Sequence, residues 1–371
     1  MAFNYEINQL ELMQARIKSV PHGWQFTYVG KAFCIRNNLR KPISEEERSM
    51  SPGNYPYYGP TKIQGYIGTF EQDGSYALIG EDGDHFLKFE KHSMTQLVDG
   101  KCTVNNHAHI IEGTKEASRE WFYYYFMHRD IFSFLSRQGA GRYKLNKASL
   151  EKMPLLLPPI VEQKKIAQIL STWDKAISVT EKLLANSQQQ KKALMQQLLT
   201  GQKRLLDENG VRFSGEWVYL TFDNAFIVAN KKSTQVKSSD YLQSGSIPII
   251  DQGQSRIAGY CNNLEVYSDV PVIVFGDHTR CVKWIEFVFC PGADGTQVIK
   301  TSKILEPKLG YYLLSNTDIP NLGYSRHMRE LKEKDFRLPL DIKEQQKIAA
   351  VLSAADAEIS TLEKKLACLR D

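Results

Sequence analysis

Residues Pro158–Ala185 read PPIVEQKKIAQILSTWDKAISVTEKLLA, and from Glu344 the chain reads EQQKIAAVLSAADAEISTLEKKLA. At a constant offset of 182, Glu162–Ala185 matches Glu344–Ala367 at 14 of 24 positions without a gap. In the first copy Ile166, Leu170, Trp173, Ile177, Thr180, Leu184, Ser187, Lys191, Leu194 and Leu198 follow alternating steps of four and three. In the second, Ile348, Leu352, Ala355, Ile359, Leu362, Leu366 and Leu369 fill the same frame. That spacing places side chains on one seam of a helix, the pattern of a coiled coil. Each helix is expected to open after proline (Pro158 and Pro159, or Pro339), and Gly201 is a candidate stop for the first. A single such seam is most often the core face of an ordinary helix. Two matched seams in one chain make each the simplest partner for the other. The expected arrangement is an antiparallel pair about a pseudo-twofold axis, with a globular unit at each end.

The repeat continues outward from these helices. GPTKIQGYIG at Gly59 matches GQSRIAGYCN at Gly253 through the frame G-x-x-[KR]-I-x-G-Y, at offset 194. Trp24, Phe33 and Asn37 recur as Trp217, Phe226 and Asn230, at offset 193. NNHAHII from Asn105 is set against DGTQVIK from Asp294, and Tyr123 against Tyr312, at offset 189. A drift from 194 to 182 confines insertions to the stretches between matched blocks, as loops on a shared scaffold do. The apolar runs YALI (Tyr76–Ile79) and VPVIVF (Val270–Phe275), each followed by Gly and Asp, predict strands. Glu120–Ser136 and Pro307–Ser315 predict helices. The chain reads as two copies of one mixed α+β unit with a small twisted sheet, each followed by a long helix.

Composition bounds the function. The 371 residues suffice for two cores, and 42% hydrophobic with 24% charged residues is a globular composition. No apolar run reaches the roughly 18 residues of a membrane span, and the N-terminus has no signal-peptide pattern, so a cytoplasmic protein is expected. Six scattered cysteines without a C-x-x-C pair point to reduced thiols, mostly in the core. A net charge of +5 is compatible with nucleic acid without demanding it.

Motifs for independent catalysis are missing. An adenine methyltransferase needs a loop of the form [ND]-P-P-[YF], whereas the P-P here stands in LPPI. The G-x-G at Gly139 does not follow a predicted strand, and no phosphate-binding loop is present. His107 and His109 alternate on a predicted strand, which would put both on one face as metal ligands. No Cys, Asp or Glu set completes such a site, so ordinary strand histidines and no metal are expected.

The frame E-Q-x-K-I-A-x-[IV]-L-S, present twice and continuing in the first copy into KKALMQQLLTGQKRL, resembles the helical regions of the specificity (S) subunits of type I restriction-modification systems. The resemblance covers the whole chain. It implies a first target recognition domain over residues 1–155, a helical spacer over 156–202, a second recognition domain over 203–338 and a second spacer over 339–371. It further implies that each globular domain reads one half of an asymmetric, split site on double-stranded DNA. The helices would set the spacer and dock two modification (M) subunits. Those subunits would carry S-adenosylmethionine and methylate adenine N6. Where the system has a restriction (R) subunit, that subunit would bring ATP and Mg. The chain itself would hold no cofactor and catalyse nothing. At offset 182 Asp371 corresponds to Gln189, and at offset 193 Met1 corresponds to Leu194. Residues 1–20, with Leu10, Met13 and Ile17 at helical spacing, would then complete the second spacer helix in a circular arrangement. A stand-alone two-domain DNA-binding regulator or a coiled-coil scaffold would share the charge and the helices. Neither explains the motif occurring twice.

Base edges are read mostly by Arg, Lys, Asn, Gln, Ser and Thr on loops and helix ends. On the first unit the expected DNA-binding residues are Arg36, Asn37, Asn38, Arg40, Lys41, Tyr58, Thr61, Lys62, Gln64 and Tyr66. RQGAGRYK adds Arg137, Arg142, Tyr143 and Lys144. On the second they are Asn230, Lys231, Lys232, Gln252, Gln254, Ser255, Arg256 and Tyr260. GDHTR adds Asp277, His278, Thr279 and Arg280, and YSRHMR adds Tyr324, Arg326, His327 and Arg329. Clusters that fall at repeated places in both copies are the ground for the choice.

Overall fold

The computed structural model describes residues 17–138, 142–321, 323 and 326–370. Within that range Ile17 is buried and residues 17–20 lie outside any helix. The rest of the expectation for residues 1–20, Leu10 and Met13 included, falls outside the described residues, as do the circular closure and Tyr324.

The chain divides into two compact units, Met1–Ala176 and Ile177–Asp371, and the division falls inside a long helix. Unit 1 opens with β1 (Gln25–Tyr28) and β2 (Cys34–Ile35). Then come β3 (Pro52–Tyr58), β4 (Ile63–Ile67), β5 (Gln72–Gly80), β6 (Thr95–Val104) and β7 (Ala108–Glu112). It continues through helix α1 (Arg119–Phe126), β8 (Ser136–Gln138), β9 (Arg142–Lys144) and β10 (Pro154–Leu157). A six-stranded sheet runs β2-β7-β5-β6-β3-β4, antiparallel except where β3 meets the end of β6. β1 pairs with β10, so the strand that opens the unit lies against the strand that delivers the chain to the long helix α2 (Ile160–Leu199).

Unit 2 repeats the plan with β11 (Trp217–Thr221), β12 (Phe226–Val228), β13 (Ile247–Ile250), β14 (Gly259–Cys261) and β15 (Val272–Gly276). β16 (Val282–Ile285), β17 (Cys290–Pro291), β18 (Thr296–Thr301), helix α3 (Pro307–Ser315), β19 (Asp335–Pro339) and helix α4 (Ile342–Arg370) follow. β11 pairs with β19 as β1 does with β10. The long β6 of unit 1 is divided here between β16 and β17. Each keeps its half of the pairing, β16 antiparallel to β15 and β17 parallel to β13. One sheet therefore becomes two, ordered β12-β18-β15-β16 and β14-β13-β17.

The central strands are buried on both faces, which is why their sequences are continuous apolar runs and not alternating ones. Ala77 and Ile79 join Phe33, Phe122 and Leu155 on one side, while Leu78 joins Val98, Val104 and Ile110 on the other. In unit 2 Ile273 and Phe275 face Phe226, Leu309 and Tyr312, and Val272 and Val274 face Tyr267, Ile285 and Phe289. Cys102, Cys261 and Cys290 are buried, Cys34 and Cys368 exposed, and all six cysteines are free thiols.

Two expectations change. The helix expected over Glu120–Ser136 ends at Phe126, because Asp130 turns its carboxylate onto the Phe132 amide (2.9 Å) and a single 3-10 turn follows. An Asp that bonds its own backbone offers the chain an alternative to the helix ladder. The strand ladders also set the late block at offset 188, not 189. Ile35 pairs with Ile111 where Val228, 193 residues on, pairs with Ile299. Tyr124, not Tyr123, is thereby the counterpart of Tyr312.

The two long helices meet within unit 2. α2 is 40 residues, about 60 Å at 1.5 Å per residue, and α4 is 29. Arg370 bonds Glu181 (2.6 Å), Ser187 bonds Glu358 (3.1 Å) and Lys191 bonds Asp356 (2.5 Å). Residue numbers fall on α4 as they rise on α2, so the pair is antiparallel. Leu198, Ile348, Leu352 and Leu366 of the predicted seam are buried. Ile177, Leu184, Leu194, Ala355, Ile359, Leu362 and Leu369 are half-buried along it. Ile166 packs instead against the core of unit 1, and Leu170 and Trp173 are 38% and 51% exposed. Gly201 ends the helix at φ 71°, in the left-handed region that glycine enters freely, with the Trp217 ring against it.

Candidate nucleic-acid interface

Each long helix is fastened to its unit by the Glu-Gln pair of the repeated motif. Gln163 is fully buried. It accepts from the Ser118 amide (2.9 Å) and donates to the carbonyls of Glu116 and Pro158 (both 2.7 Å). Gln345, also fully buried, accepts from the Glu306 amide (2.7 Å) and donates to Ile304 (2.9 Å) and Pro339 (2.8 Å). Ser118 and Glu306 are the N-caps of α1 and α3, so one glutamine ties together a cap, the preceding loop and the start of the long helix. The neighbouring glutamates differ. Glu162 takes one bond from the Trp24 indole (3.2 Å), whereas fully buried Glu344 takes both arms of Arg204 (2.5 and 2.7 Å). A second tie repeats six residues beyond each cap, nearly two turns along α1 and α3. Tyr124 donates to Asp174 (2.8 Å) and Tyr312 to Asp356 (2.7 Å). Burial, aided by the aspartate, raises both phenols above their ordinary value, and at Tyr312 the Ser353 hydroxyl offsets part of the rise. In the motif the Q thus faces inward in both copies, toward the unit that precedes the helix, whereas the E is buried only in the second.

The residues expected at DNA fall into two groups. Many are committed inside their own unit. Asn37 accepts from the Ile110 amide (3.3 Å) and lies 2.8 Å from His109 Nδ1. Asn230 accepts from the Val298 amide (2.7 Å) and donates to Gln297 (2.6 Å). Both brackets occupy the same ladder position. Arg36 pairs with Glu112 (2.6 Å) and Lys41 with Glu71 (2.5 Å). Arg40 bonds Glu81, which Lys144 also approaches (3.3 Å) with His109 at 3.9 Å. Burial alone would raise the Glu81 carboxyl, but Arg40, His109 and Lys144 outweigh it and hold the group below the usual carboxylate range. Tyr58 is half-buried. Tyr143 is 9% exposed and receives a bond from Arg137 (2.9 Å). In unit 2 Gln252 accepts from the His278 amide and donates to the Asp294 carbonyl (both 3.1 Å), and Thr279 bonds the Gln252 carbonyl. Arg280 donates to the Ile319 carbonyl (2.8 Å), and Lys231 lies over the Tyr267 ring. Tyr260 pairs its backbone with Leu242, and Asp277 is buried and holds the Met328 amide (2.7 Å). His327 is fully buried against the Asp277 carbonyl (2.9 Å). Its expected DNA contact, like that of Tyr143, is corrected on this ground: a side chain enclosed by its own core presents no edge to a groove.

The others are on the surface. In unit 1 Asn38, Lys62, Gln64, Tyr66 and Arg142 are exposed, with Thr61 half-buried beside them. In unit 2 Lys232, Gln254, Ser255, Arg256, Arg326 and Arg329 are exposed. The loop carrying Gln254–Arg256 is pinned from beneath by Lys283, which donates to the carbonyls of Asp251 (2.8 Å) and Ser255 (2.7 Å). Arg256 lies over Phe287, and Arg329 pairs loosely with Glu333.

In unit 1 two of these residues, Gln64 and Arg142, line two adjoining clefts. One, of about 410 Å³, is lined by Pro60, Gln64, Asp82, Gly83, Asp84, His107 and Arg142. The other, of about 460 Å³, shares Gln64 and His107 and adds Ser44, Arg48 and Asn105. The sequence offered no signal for Asp82 or Asn105 as part of this surface. The two histidines separate: His109 is 1% exposed on β7, whereas His107 stands before the strand with half its side chain in solvent. The expectation of one shared face fails because the turn at 105–107 interrupts the alternation. Among the described residues no group of three His, Cys, Asp or Glu could hold a metal ion, and no helix is long and apolar enough to cross a membrane.

Comparison with known proteins agrees with the duplicated architecture. Residues 6–186 match the family described as type I restriction modification DNA specificity domain. A specificity subunit of a type I restriction enzyme from Haemophilus influenzae is 38% identical over 136 residues, 37% of this chain but about a third (34%) of that protein's length. The MjaX specificity subunit of Methanocaldococcus jannaschii is 23% identical across 95% of this chain and 92% of that one. The crystal structure of a type I restriction-modification system S subunit from M. genitalium shares the fold, with a TM-score of 0.66 at 15% identity, over 100% of this chain and 95% of that one. The molecule is a duplicated, two-unit protein built on paired long helices. Residues 6–186 carry the type I restriction modification DNA specificity domain, and the chain as a whole is similar to specificity subunits of type I restriction-modification systems.

Proposed function

We propose that this chain is the non-catalytic DNA sequence-specificity subunit of a type I restriction-modification enzyme. Each unit reads one half of a split site on double-stranded DNA. The long helices set the number of base pairs between the halves and dock two M subunits. S-adenosylmethionine and adenine N6 methylation belong to those M subunits. ATP and Mg belong to R subunits where the system has them, and the assembly works in the cytoplasm. One observation carries this reading: two units share a ladder and a Glu-Gln junction to a long helix, yet present different side chains at matched surface positions. A scaffold copied with its loops altered suits a reader of two unlike sequences. A symmetric scaffold protein would have no use for the alteration.

The test is to express the chain with its M partner and map methylated adenines across a genome. An asymmetric site with two defined halves and a fixed gap is expected. Inserting four residues within 188–197 adds roughly 6 Å of helix and should widen the gap by one base pair or more, with both halves unchanged. Methylation by the isolated chain, or a gap indifferent to the insertion, would contradict the proposal.

A further inference from the structure

We propose that Gln64 and His107 are the base-reading pair of unit 1, with Asn105 and Asp82 as their positioning residues and the major-groove edge of an adenine as the target of Gln64. This rests on the function proposed above and names the chemistry of one of its sites.

The geometry begins with Asn105. Its side-chain oxygen accepts from the His107 amide (2.8 Å), fixing the turn, and its Nδ2 donates to Gln64 Oε1 (3.0 Å). Gln64, which lines both clefts, is therefore held in one amide orientation, and its Nε2 has no hydrogen-bond partner among the described residues. Nε2 and the second lone pair of Oε1 are the donor and acceptor pair that meets adenine N7 and N6. His107 is held from the other side, with Nδ1 2.8 Å and 3.1 Å from the two Asp82 oxygens, which leaves Nε2 outward. Each reader is tied through one atom of its terminal group, Gln64 Oε1 or His107 Nδ1, and keeps its Nε2 for a ligand, the arrangement that gives a contact geometric precision.

Unit 2 shows that the scaffold does not require these groups. The ladders match Gln64 with Ala258, through Gly65 opposite Tyr57 and Gly259 opposite Ile249. Asn105 matches Gly292, whose amide meets the Ile250 carbonyl as that of Asn105 meets Tyr58. His107 matches Gly295, whose carbonyl accepts from Asp277 as that of His107 accepts from Glu81. All three positions lose their polar side chains. In unit 2 the space is filled instead: a Cβ on Gly295 would stand 2.6 Å from Gln252 Oε1 and 2.7 Å from the His278 ring. Groups that the fold can do without, tethered through one atom and open at another, are placed for recognition and not for stability.

The experiment selects preferred sites from a DNA library randomised in both halves, using the assembled complex of this chain with its M subunits. For the unaltered chain an A·T pair is expected at one position of the unit 1 half. Gln64→Ala should reduce discrimination at that position by about ten-fold or more, the range of one bidentate contact. Gln64→Glu, which offers only acceptors, should shift the preference there to C. Asn105→Ala should blur the same position while the salt dependence of binding to unrelated DNA stays fixed. An unchanged preference in Gln64→Ala, in a complex whose thermal melt matches the unaltered one, overturns the inference. So does an altered position in the half read by unit 2. If the unaltered complex selects no split site at all, the function proposed for the chain fails instead.

Discussion

The two units keep the same bonds where the fold needs them and diverge where it does not. Gln163 and Gln345 make the same three bonds, Tyr124 and Tyr312 the same reach to an aspartate, and Asn37 and Asn230 the same bracket on a strand. Against this, Glu81 of unit 1 gathers Arg40, Lys144 and His109, while its ladder counterpart Asp277 takes the Met328 amide on its carboxylate and the His327 ring on its carbonyl. Repetition in such a protein marks scaffold. Recognition is to be sought where the copies disagree.

The largest expected effect tests the unequal glutamates. Arg204→Leu leaves the Glu344 carboxylate fully buried without its bidentate partner. Breaking a buried pair from one side costs about 3–5 kcal/mol. Trp24→Phe removes a single bond to exposed Glu162 and should cost well under about 1 kcal/mol. Urea unfolding read by tryptophan fluorescence separates them, and similar losses in the two variants would mean that the junctions are energetically alike despite their chemistry.

Next come the shared glutamines. Gln163→Ala and Gln345→Ala each strand one amide and two carbonyls in a buried corner, so each should lose about 3 kcal/mol. Hydrogen exchange followed by mass spectrometry reports the units separately. Each variant should loosen the cap of its own short helix, α1 or α3, and spare the other. A loss confined to one of the two variants would break the equivalence.

This junction also shows what could be read beforehand. The duplication, the long helices and the strands at YALI and VPVIVF follow from periodicity, because a buried face imprints its spacing on the sequence. The role of the Glu-Gln pair does not follow: a polar pair at a helix start looks solvent-facing until the loop it bonds is folded over it. The same limit hid how several of the expected DNA-facing residues are held. Asn37, Asn230 and Arg40 are polar, clustered and at repeated or adjacent places, yet their partners are 41 to 73 residues away and visible only in three dimensions. The one-residue slip that paired Tyr123 with Tyr312 has a simpler cause. YYY offers three equal matches, and only the ladder chooses among them.

Acid should separate the units further. Burial holds the His85 imidazole down to about 4 and lowers His109 as well, and at the ladder position of His109 unit 2 carries Gln297, which does not titrate. The unfolded chain takes up these protons near 6.5, while the folded unit refuses them until lower pH. Their contribution is therefore complete above about pH 6.5 and shrinks as pH falls toward 4, by about 2–3 kcal/mol for His85. Glu81 acts lower down: its depressed carboxyl adds stability above its usual value of 4.5, which is lost as pH falls through the folded value. Unfolding midpoints of unit 1 should drop from pH 7 to pH 4.5, and His85→Gln should flatten most of that slope. A slope untouched by the substitution would assign the acid sensitivity elsewhere.

The smallest effect concerns the tyrosine ties, and it tests how far equivalence in geometry implies equivalence in energy. Tyr124 reaches Asp174 at the surface, where water can replace either partner. Tyr312 is fully buried and its hydroxyl meets both Asp356 and Ser353 (2.7 and 3.1 Å), with Asp356 also held by Lys191 from α2. Removing a hydroxyl that is wet costs little, whereas removing one enclosed by a carboxylate leaves an acceptor short of a donor. Tyr124→Phe should therefore cost about 0.5 kcal/mol and Tyr312→Phe about 1–2 kcal/mol. In a double-mutant cycle with Asp174→Asn and Asp356→Asn, coupling should be weak for the first pair and clear for the second. Equal coupling would show that the two ties, like the two glutamines, are one device used twice.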